Sequence, residues 1–258
     1  MPTIYLKGRV APTSFKLTVK TAILQQITND DGLELWISAE IVDSAITVNC
    51  RLNRFNGDRD LGLAWVAGFT IARGLVDAAA FALAVGAIVI LDLWVDVNGN
   101  EAAINFADPA LRGLCTAFNM NPTTVEDSTK TQFYMGLMMR DWPLSLAMND
   151  LVQSLILPPQ YGLINCGRAM ETIRNDISRN DRKKGWPIMR DALQIAEDYL
   201  NYITENSKGP RHGQMHGPMG LEAKEVTRRA WMIMNRFLEY KRRGNQRLPL
   251  SELPTLET

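Results

Sequence analysis

The residues best suited to chemistry lie in one short segment, residues 205–218, which holds both histidines of the chain. Lys208, Arg211, His212 and His216 follow one another within it. Imidazole is the side chain whose ordinary titration lies nearest neutral pH, so a histidine here can take up or release a proton. A guanidinium can fork onto two phosphate oxygens and stabilise charge that develops there. Together these groups can cut RNA without a metal ion, by deprotonating a 2′-hydroxyl and stabilising the anionic phosphorus centre.

The same two histidines also have the i, i+4 spacing of two metal ligands on one helix face. Gly213 lies between them and disfavours a helix, no cysteine is near, and the closest acidic residues are Glu205 and Glu222. The segment therefore predicts no metal site. The sequence points to no cofactor either, because it has no phosphate-cradling glycine loop and no nucleophile elbow.

A spacing pattern links this segment to a known family. Arg211 is followed by a polar residue, and His216-Gly217 comes five positions after the arginine, near the start of the last expected helix. This pattern resembles the signature of the HEPN superfamily, small four-helix domains that include many metal-independent ribonucleases of defence, toxin and RNA-processing systems. The resemblance implies that Arg211 and His216 are a catalytic pair, with His212 at the intervening polar position. It also implies a homodimer, because the composite sites of that family take their missing acid or base from a second copy.

The glycines and prolines around the motif affect where it lies. Gly209 and Pro210 precede the arginine, and Gly213, Gly217 and Pro218 lie within or after the motif. These residues predict that the pair is on a loop between two helices and not inside a helix.

A second basic cluster precedes the next expected helix and consists of Arg182, Lys183 and Lys184, followed by Trp186. Its cations could contact phosphates, together with Lys208, while the indole stacks on a base. The alternative is an ordinary solvated helix end, because cations also suit the C-terminus of a helix. The charge of the chain is uneven in the same sense: residues 1–159 carry 11 basic and 16 acidic side chains, and residues 160–258 carry 17 and 12. The second half is therefore better suited to a polyanion.

Composition and hydropathy predict a cytoplasmic protein without a membrane span. Cys50, Cys115 and Cys166 are far apart, and an odd count without a disulfide framework fits a reducing compartment. The longest uncharged run between residues 61 and 97 is 14 residues, which is too short to cross a bilayer. The first residues also lack the layout of a secretory signal.

The pattern of apolar residues predicts an α+β fold in two parts. Period-2 alternation between residues 3 and 54 predicts strands, residues 60–84 a buried helix that Gly86 ends, and residues 89–97 and 102–106 a hairpin around Asn98-Gly99. An N-terminal mixed or antiparallel sheet with a packed helix would thus occupy residues 1–120, with a short helix at 109–118 and a linker at 119–124. Helical periods at 130–157, 165–180, 187–205 and 221–243 predict a C-terminal helical bundle over residues 125–243, followed by an irregular tail at 244–258.

The function that the sequence favours is a HEPN-like protein that binds RNA or another partner, with metal-independent endoribonuclease activity at Arg211, His216 and His212. The nucleic-acid contacts would come from Lys208, Arg182, Lys183, Lys184 and Trp186. The alternative is a non-catalytic interaction protein that dimerises through its helical bundle. RNA and a second copy of the chain are the expected partners, and a membrane is not.

Overall fold

The structure is a computed structural model of the chain. It describes residues 1–12, 14, 16–28, 32–104, 111, 128–179, 181, 183–214, 218 and 220–257. The chain divides into two compact units, Met1–Phe106 and Ala107–Thr258. The short helix predicted at 109–118 (apart from Leu111) and the linker predicted at 119–124 lie outside the described residues.

The N-terminal unit is a six-stranded sheet with one helix packed on it, so the predicted α+β class is confirmed. The sheet order is β2-β3-β4-β1-β5-β6, and every pair of neighbouring strands is antiparallel. The elements are β1 (Thr3–Ala11), β2 (Val19–Thr28), β3 (Glu34–Val42), β4 (Ala45–Leu52), α1 (Asp58–Leu83), β5 (Ile88–Val95) and β6 (Glu101–Ala103).

Alternation of side chains explains why this sheet forms. The apolar residues of β3 and β4 share one buried face, as the period-2 pattern predicts. Asp43 and Ser44 turn the chain between the two strands with φ of 51° and 72°, the conformation of a tight two-residue hairpin. The buried residues of this face are Leu35, Ile37, Ala39, Ile41, Ile46, Val48, Cys50 and Leu52.

Helix α1 lies against the sheet at Gly68, where a Cβ would come within 2.7 Å of Leu6 Cδ1. The helix ends at Ala84, which adopts the left-handed conformation, and not at Gly86 as predicted. By length and composition alone, Arg59–Leu83 is the one helix among the described residues that could span a membrane. In this structure, however, it packs on the sheet.

The C-terminal unit contains six helices among its described residues, where the sequence predicted four. Two of the predicted helices are divided. The first breaks at Asp141, whose carboxylate accepts the backbone N–H of Leu144 at 3.0 Å and so caps a new helix, with Pro143 in its first turn. The second breaks at Gln194, which has a φ of 56°. The helices are α2 (Ser128–Arg140), α3 (Trp142–Ile156), α4 (Pro159–Ile177), α5 (Gly185–Leu193), α6 (Glu197–Arg211) and α7 (Leu221–Arg242).

The tail has little regular secondary structure, but it is bonded to the helices. Residues 244–257, here named the C-terminal strap, pair through Leu256 with Ile195 in a parallel bridge. Arg236 donates hydrogen bonds to the carbonyl oxygens of Leu253 at 3.0 Å and Pro254 at 2.5 Å, and Leu248 is fully buried. The strap is therefore part of the core of the helical unit.

Candidate functional site

Arg211 is the last residue of helix α6, which continues to residue 211 where the sequence predicted an end at residue 205. The prediction that Arg211 lies on a loop is therefore wrong. Pro210 sits inside the last turn, where it lacks a backbone N–H. At the end of the turn, the N–H of His212 is shared between two carbonyl oxygens. One is that of Lys208 at 3.1 Å, the usual α-helical partner, and the other is that of Gly209 at 3.0 Å, the partner in a 3₁₀ turn. The loop begins at His212.

The side chain of Arg211 is held by helix α4. Its Nη2 lies 2.7 Å from Oε1 of Glu171, and the two side chains are 28% and 34% exposed. The helices approach closely at Gly167, where a Cβ would be 2.4 Å from Ser207 Oγ and 3.3 Å from Arg211 Cδ. The absence of a side chain at Gly167 therefore makes room chiefly for Ser207 and, beside it, for the arginine stem.

Of the two histidines, His212 belongs to the described residues and His216 does not. His212 follows Arg211 directly and is exposed, and Gly213, with a φ of 78°, then turns the chain away from the helix axis. His216 lies outside the described residues. The pairing of Arg211 with His216 stays a prediction, whereas the adjacency of Arg211 and His212 is a feature of the structure.

A second ion pair lies on the same side of α4 as Glu171. Arg168 precedes Glu171 by three positions, which places the two on the same side of the helix. Arg168 Nε lies 3.6 Å from Oδ2 of Asp150 on α3. The Asp150 side chain is only 9% exposed, and burial raises the pKa of that carboxyl, against the opposing effect of Arg168.

The second basic cluster lies in the loop between α4 and α5. The carboxylate of Asp181 accepts the backbone N–H groups of Lys183 at 2.9 Å and Lys184 at 3.0 Å, which lowers the pKa of Asp181. This turn presents both lysines to solvent. The guanidinium of Arg174 lies 4.7 Å from the ring centroid of Trp186, so one face of the indole is already covered. Arg182 lies outside the described residues.

Lys208 is exposed on the last turn of α6, one turn before Arg211. The loop of Lys183 and Lys184 begins beyond the end of α4, about 10 Å along the helix axis from Glu171. The structure thus brings together Lys208, Arg211 and His212, with Glu171 beside them. It does not bring Lys183, Lys184 and Trp186 into the same cluster.

Comparison with known families covers both units. Residues 4–104 match the model described as Domain of unknown function (DUF8168) N-terminal domain. Residues 131–242 match the corresponding C-terminal domain, so the two matches span most of the chain. The chain belongs to the DUF8168 family. No curated protein and no solved structure matches this DUF8168 chain.

The described cysteines of this DUF8168 protein are unsuited to nucleophilic catalysis. Burial raises the pKa of the Cys166 thiol to about 11 and that of Cys50 to about 12. A thiol with so high a pKa carries almost no thiolate near neutral pH. Cys115 lies outside the described residues.

Sequence reasoning missed three residues of the site, Glu171, Arg168 and Gly167. No local signal distinguishes Glu171 from other exposed acidic residues on helices, because its role depends on the crossing of α4 and α6. The i, i+4 spacing of Gly167 and Glu171 was the one available indication that a small residue and a carboxylate share a helix face. Among the residues that the structure describes, no group of three His, Cys, Asp or Glu side chains is arranged to hold a metal ion.

Proposed function

We propose that the C-terminal unit of this DUF8168 protein binds RNA at the end of α6 and cleaves it without a metal ion. The observation that carries the proposal is the fixed position of Arg211. Its guanidinium is oriented by Glu171, its stem lies over Gly167, and an exposed histidine follows it in the chain. A phosphate-binding group that is already ordered loses less conformational freedom on binding than a free surface arginine does.

The donors of Arg211 suit this role. A guanidinium carries several N–H donors in a planar fork, and Glu171 forms its ion pair at Nη2. The remaining donors can bind the oxygens of a phosphodiester and stabilise the charge that develops on them during cleavage. Lys208 adds an exposed positive charge one turn before Arg211, while Arg168, on the same side of α4 as Glu171, is paired with Asp150.

The cleavage step requires no co-reactant. A histidine of the segment removes the proton of a ribose 2′-hydroxyl, the 2′-oxygen attacks phosphorus, and the bond to the 5′-oxygen breaks as that oxygen takes a proton. The products are a 2′,3′-cyclic phosphate and a 5′-hydroxyl. His216 is the expected base, and a second copy of the chain supplies the acid, as the HEPN resemblance implies. Lys183, Lys184 and Trp186 would bind nucleotides farther along the strand.

The proposal is tested by incubating a labelled RNA with purified protein in EDTA. We expect the wild-type chain to yield cyclic-phosphate ends, and both Arg211→Gln and His216→Ala to lose this product while their circular dichroism stays unchanged. Arg247→Gln is the matched control, because it also removes an arginine from a surface ion pair, with Asp191 at 2.9 Å. Absence of cleavage by the wild-type chain, or equal cleavage by Arg211→Gln and Arg247→Gln, would refute the enzymatic proposal.

A second candidate function is supported by exposed apolar residues on α2 and at the start of α3. Phe133, Met135, Met139 and Trp142 are 48%, 54%, 84% and 71% exposed. Met135 and Met139, four residues apart, lie on one face of α2, and Trp142 follows just beyond the break at Asp141. Such exposed apolar residues favour a non-catalytic interaction protein that dimerises through its helices. Sedimentation of the wild-type chain and of Met139→Lys tests this candidate, which fails if both are monomers at every concentration.

A further inference from the structure

Arg174, on α4, is held in one orientation by three neighbours. The carbon of its guanidinium lies over the indole of Trp186, 4.7 Å from the ring centroid. Its Nε and Nη2 donate hydrogen bonds to Oδ1 of Asn175 at 3.0 and 2.6 Å. Its stem is confined at the start of α5, where a Cβ on Gly185 would come within 3.1 Å of its Cγ and Cδ. The plane of the guanidinium is therefore set by the fold.

Arg174 forms no ion pair with a carboxylate in the described part of the chain. Its side-chain hydrogen bonds run to the neutral amide of Asn175. Lys183 and Lys184, in the loop that follows α4, are both exposed. Asp181 is the acidic residue of that loop, and its carboxylate accepts from the backbone N–H groups of the two lysines. The end of α4 and this loop thus carry more basic than acidic side chains, which suits a phosphate backbone.

The indole of Trp186 has one face covered by this guanidinium, and the side chain is partly buried against the core of the helical unit. A base therefore cannot stack on the face that Arg174 occupies. Arg174 is partly exposed, so a planar group can stack on the side of its guanidinium that points away from the indole. Trp186 thus supports the guanidinium, and the outer side of the guanidinium is the available stacking surface.

We propose that Arg174 stacks on an unpaired base of RNA, so that this DUF8168 protein takes single-stranded RNA. This inference rests on the RNA binding proposed above and specifies the form of the substrate. Gly167, Glu171 and Arg174 follow one another at i, i+4 and i+7 on one side of α4, and Arg174 lies about 4.5 Å along the axis beyond Glu171. A strand whose phosphate is bound by Arg211 can therefore place a nearby base on Arg174. In a duplex the faces of each base are covered by its neighbours, so only an unpaired and unstacked base fits.

The test separates stacking from charge, and binding from cleavage. The affinity of the full chain is measured for a single strand of 2′-O-methyl RNA, which has no free 2′-hydroxyl and cannot be cleaved by the proposed reaction. It is also measured for the corresponding duplex and for a strand of equal length without bases. Arg174→Lys keeps the positive charge but removes the planar group. Arg247→Lys is the matched control, because it makes the same change at an arginine that pairs with Asp191.

We expect the wild-type chain to prefer the single strand to both the duplex and the strand without bases. Arg174→Lys should bind the single strand about tenfold more weakly, the effect of one lost stacking contact, and should bind the strand without bases as the wild-type chain does. Arg247→Lys should match the wild-type chain on all three. The stacking proposal alone is overturned if Arg174→Lys binds the single strand as tightly as the wild-type chain, or if the duplex binds as tightly as the single strand. Absence of binding to all three would overturn the proposed function as well.

Discussion

Replacing Lys241 by methionine should strongly destabilise the helical unit. The ammonium group of Lys241 lies 2.7 Å from Oδ2 of Asp141 and 2.6 Å from Oδ2 of Asp176, and the lysine side chain is only 7% exposed. Burial alone would lower the pKa of Lys241, but the hydrogen bonds to the two carboxylates outweigh it and raise that pKa. Asp141 also caps the start of α3, and Asp176 lies at the end of α4. One ammonium group therefore connects α7 with both of these helices.

The size of the effect follows from the exposure of the groups left behind. Removing one partner of a fully buried ion pair costs about 3–5 kcal/mol, because the other charge stays buried without compensation. Asp141 and Asp176 keep 19% and 20% of their side-chain exposure, so water can reach them in part. We therefore expect a loss at the lower end, about 3 kcal/mol. For a urea dependence of about 2 kcal/mol per molar, the midpoint falls by roughly 1.5 M.

The assay is hydrogen exchange of the α7 amides across a urea series, which reads the stability of this helix within the full chain. Lys224→Met, an exposed lysine on the same helix, is the control and should change the free energy of opening by less than about 0.5 kcal/mol. Adding Asp176→Asn to Lys241→Met should recover about 1 kcal/mol, because it removes one uncompensated charge. Equal stability of Lys241→Met and Lys224→Met would refute the reasoning.

Two further predictions concern the ionic contacts of α7. Hydrogen bonds from Arg228 hold the pKa of Glu225 at about 2, and hydrogen bonds from Arg242 do the same for Glu239. Because folding lowers both pKa values, the stabilisation is fully present above the ordinary glutamate pKa of about 4.5 and is lost as the pH falls from there to about 2. After allowance for solvent screening, each carboxylate contributes about 1–2 kcal/mol to the free energy of unfolding. Urea unfolding between pH 7 and pH 3 should show this loss, and Glu239→Gln should make it shallower; an acid limb identical to that of the wild-type chain would contradict the assignment. Arg236→Met should destabilise the C-terminal strap by about 2–3 kcal/mol, because three carbonyl oxygens lose their donor. Hydrogen exchange within the strap measures this change, and unaltered protection there would count against the account.

The N-terminal unit was largely predictable because its signals are local. Asn98-Gly99 and Asp43-Ser44 each turn the chain between neighbouring strands, and alternation identified the buried face of β3 and β4. The position of β1 between β4 and β5 was not predictable in this way, because it depends on pairing between distant parts of the chain.

The helical unit was less predictable, since its breaks do not interrupt the apolar stripe. Ile195 continues the spacing of the stripe from α5 into α6 and is buried, although the helix has already ended at Gln194. The bonds of the C-terminal strap were missed because a segment with prolines and few apolar residues carries no periodic signal. They join Leu248 and Leu256 to Ala192, Gln194 and Ala196, which lie far earlier in the chain, and Arg236 adds bonds to Leu253 and Pro254.

The candidate site shows the same limit. Residue types identified Arg211 and His212 as suited to phosphate chemistry, but only the crossing of α4 and α6 shows that Glu171 holds the arginine. Carboxylates on amphipathic helices are common, and a sequence pattern does not say which cation each one meets.

The most direct test of the central claim is the salt dependence of RNA affinity for the wild-type chain and Arg211→Gln. Each phosphate contact on a single strand contributes about 0.7 to the slope of the logarithm of affinity against the logarithm of salt concentration. If Arg211 contacts the RNA backbone, Arg211→Gln should bind more weakly and its slope should be smaller by about that amount, whereas Arg247→Gln should keep the wild-type slope. Identical slopes and affinities for Arg211→Gln and the wild-type chain would contradict the account.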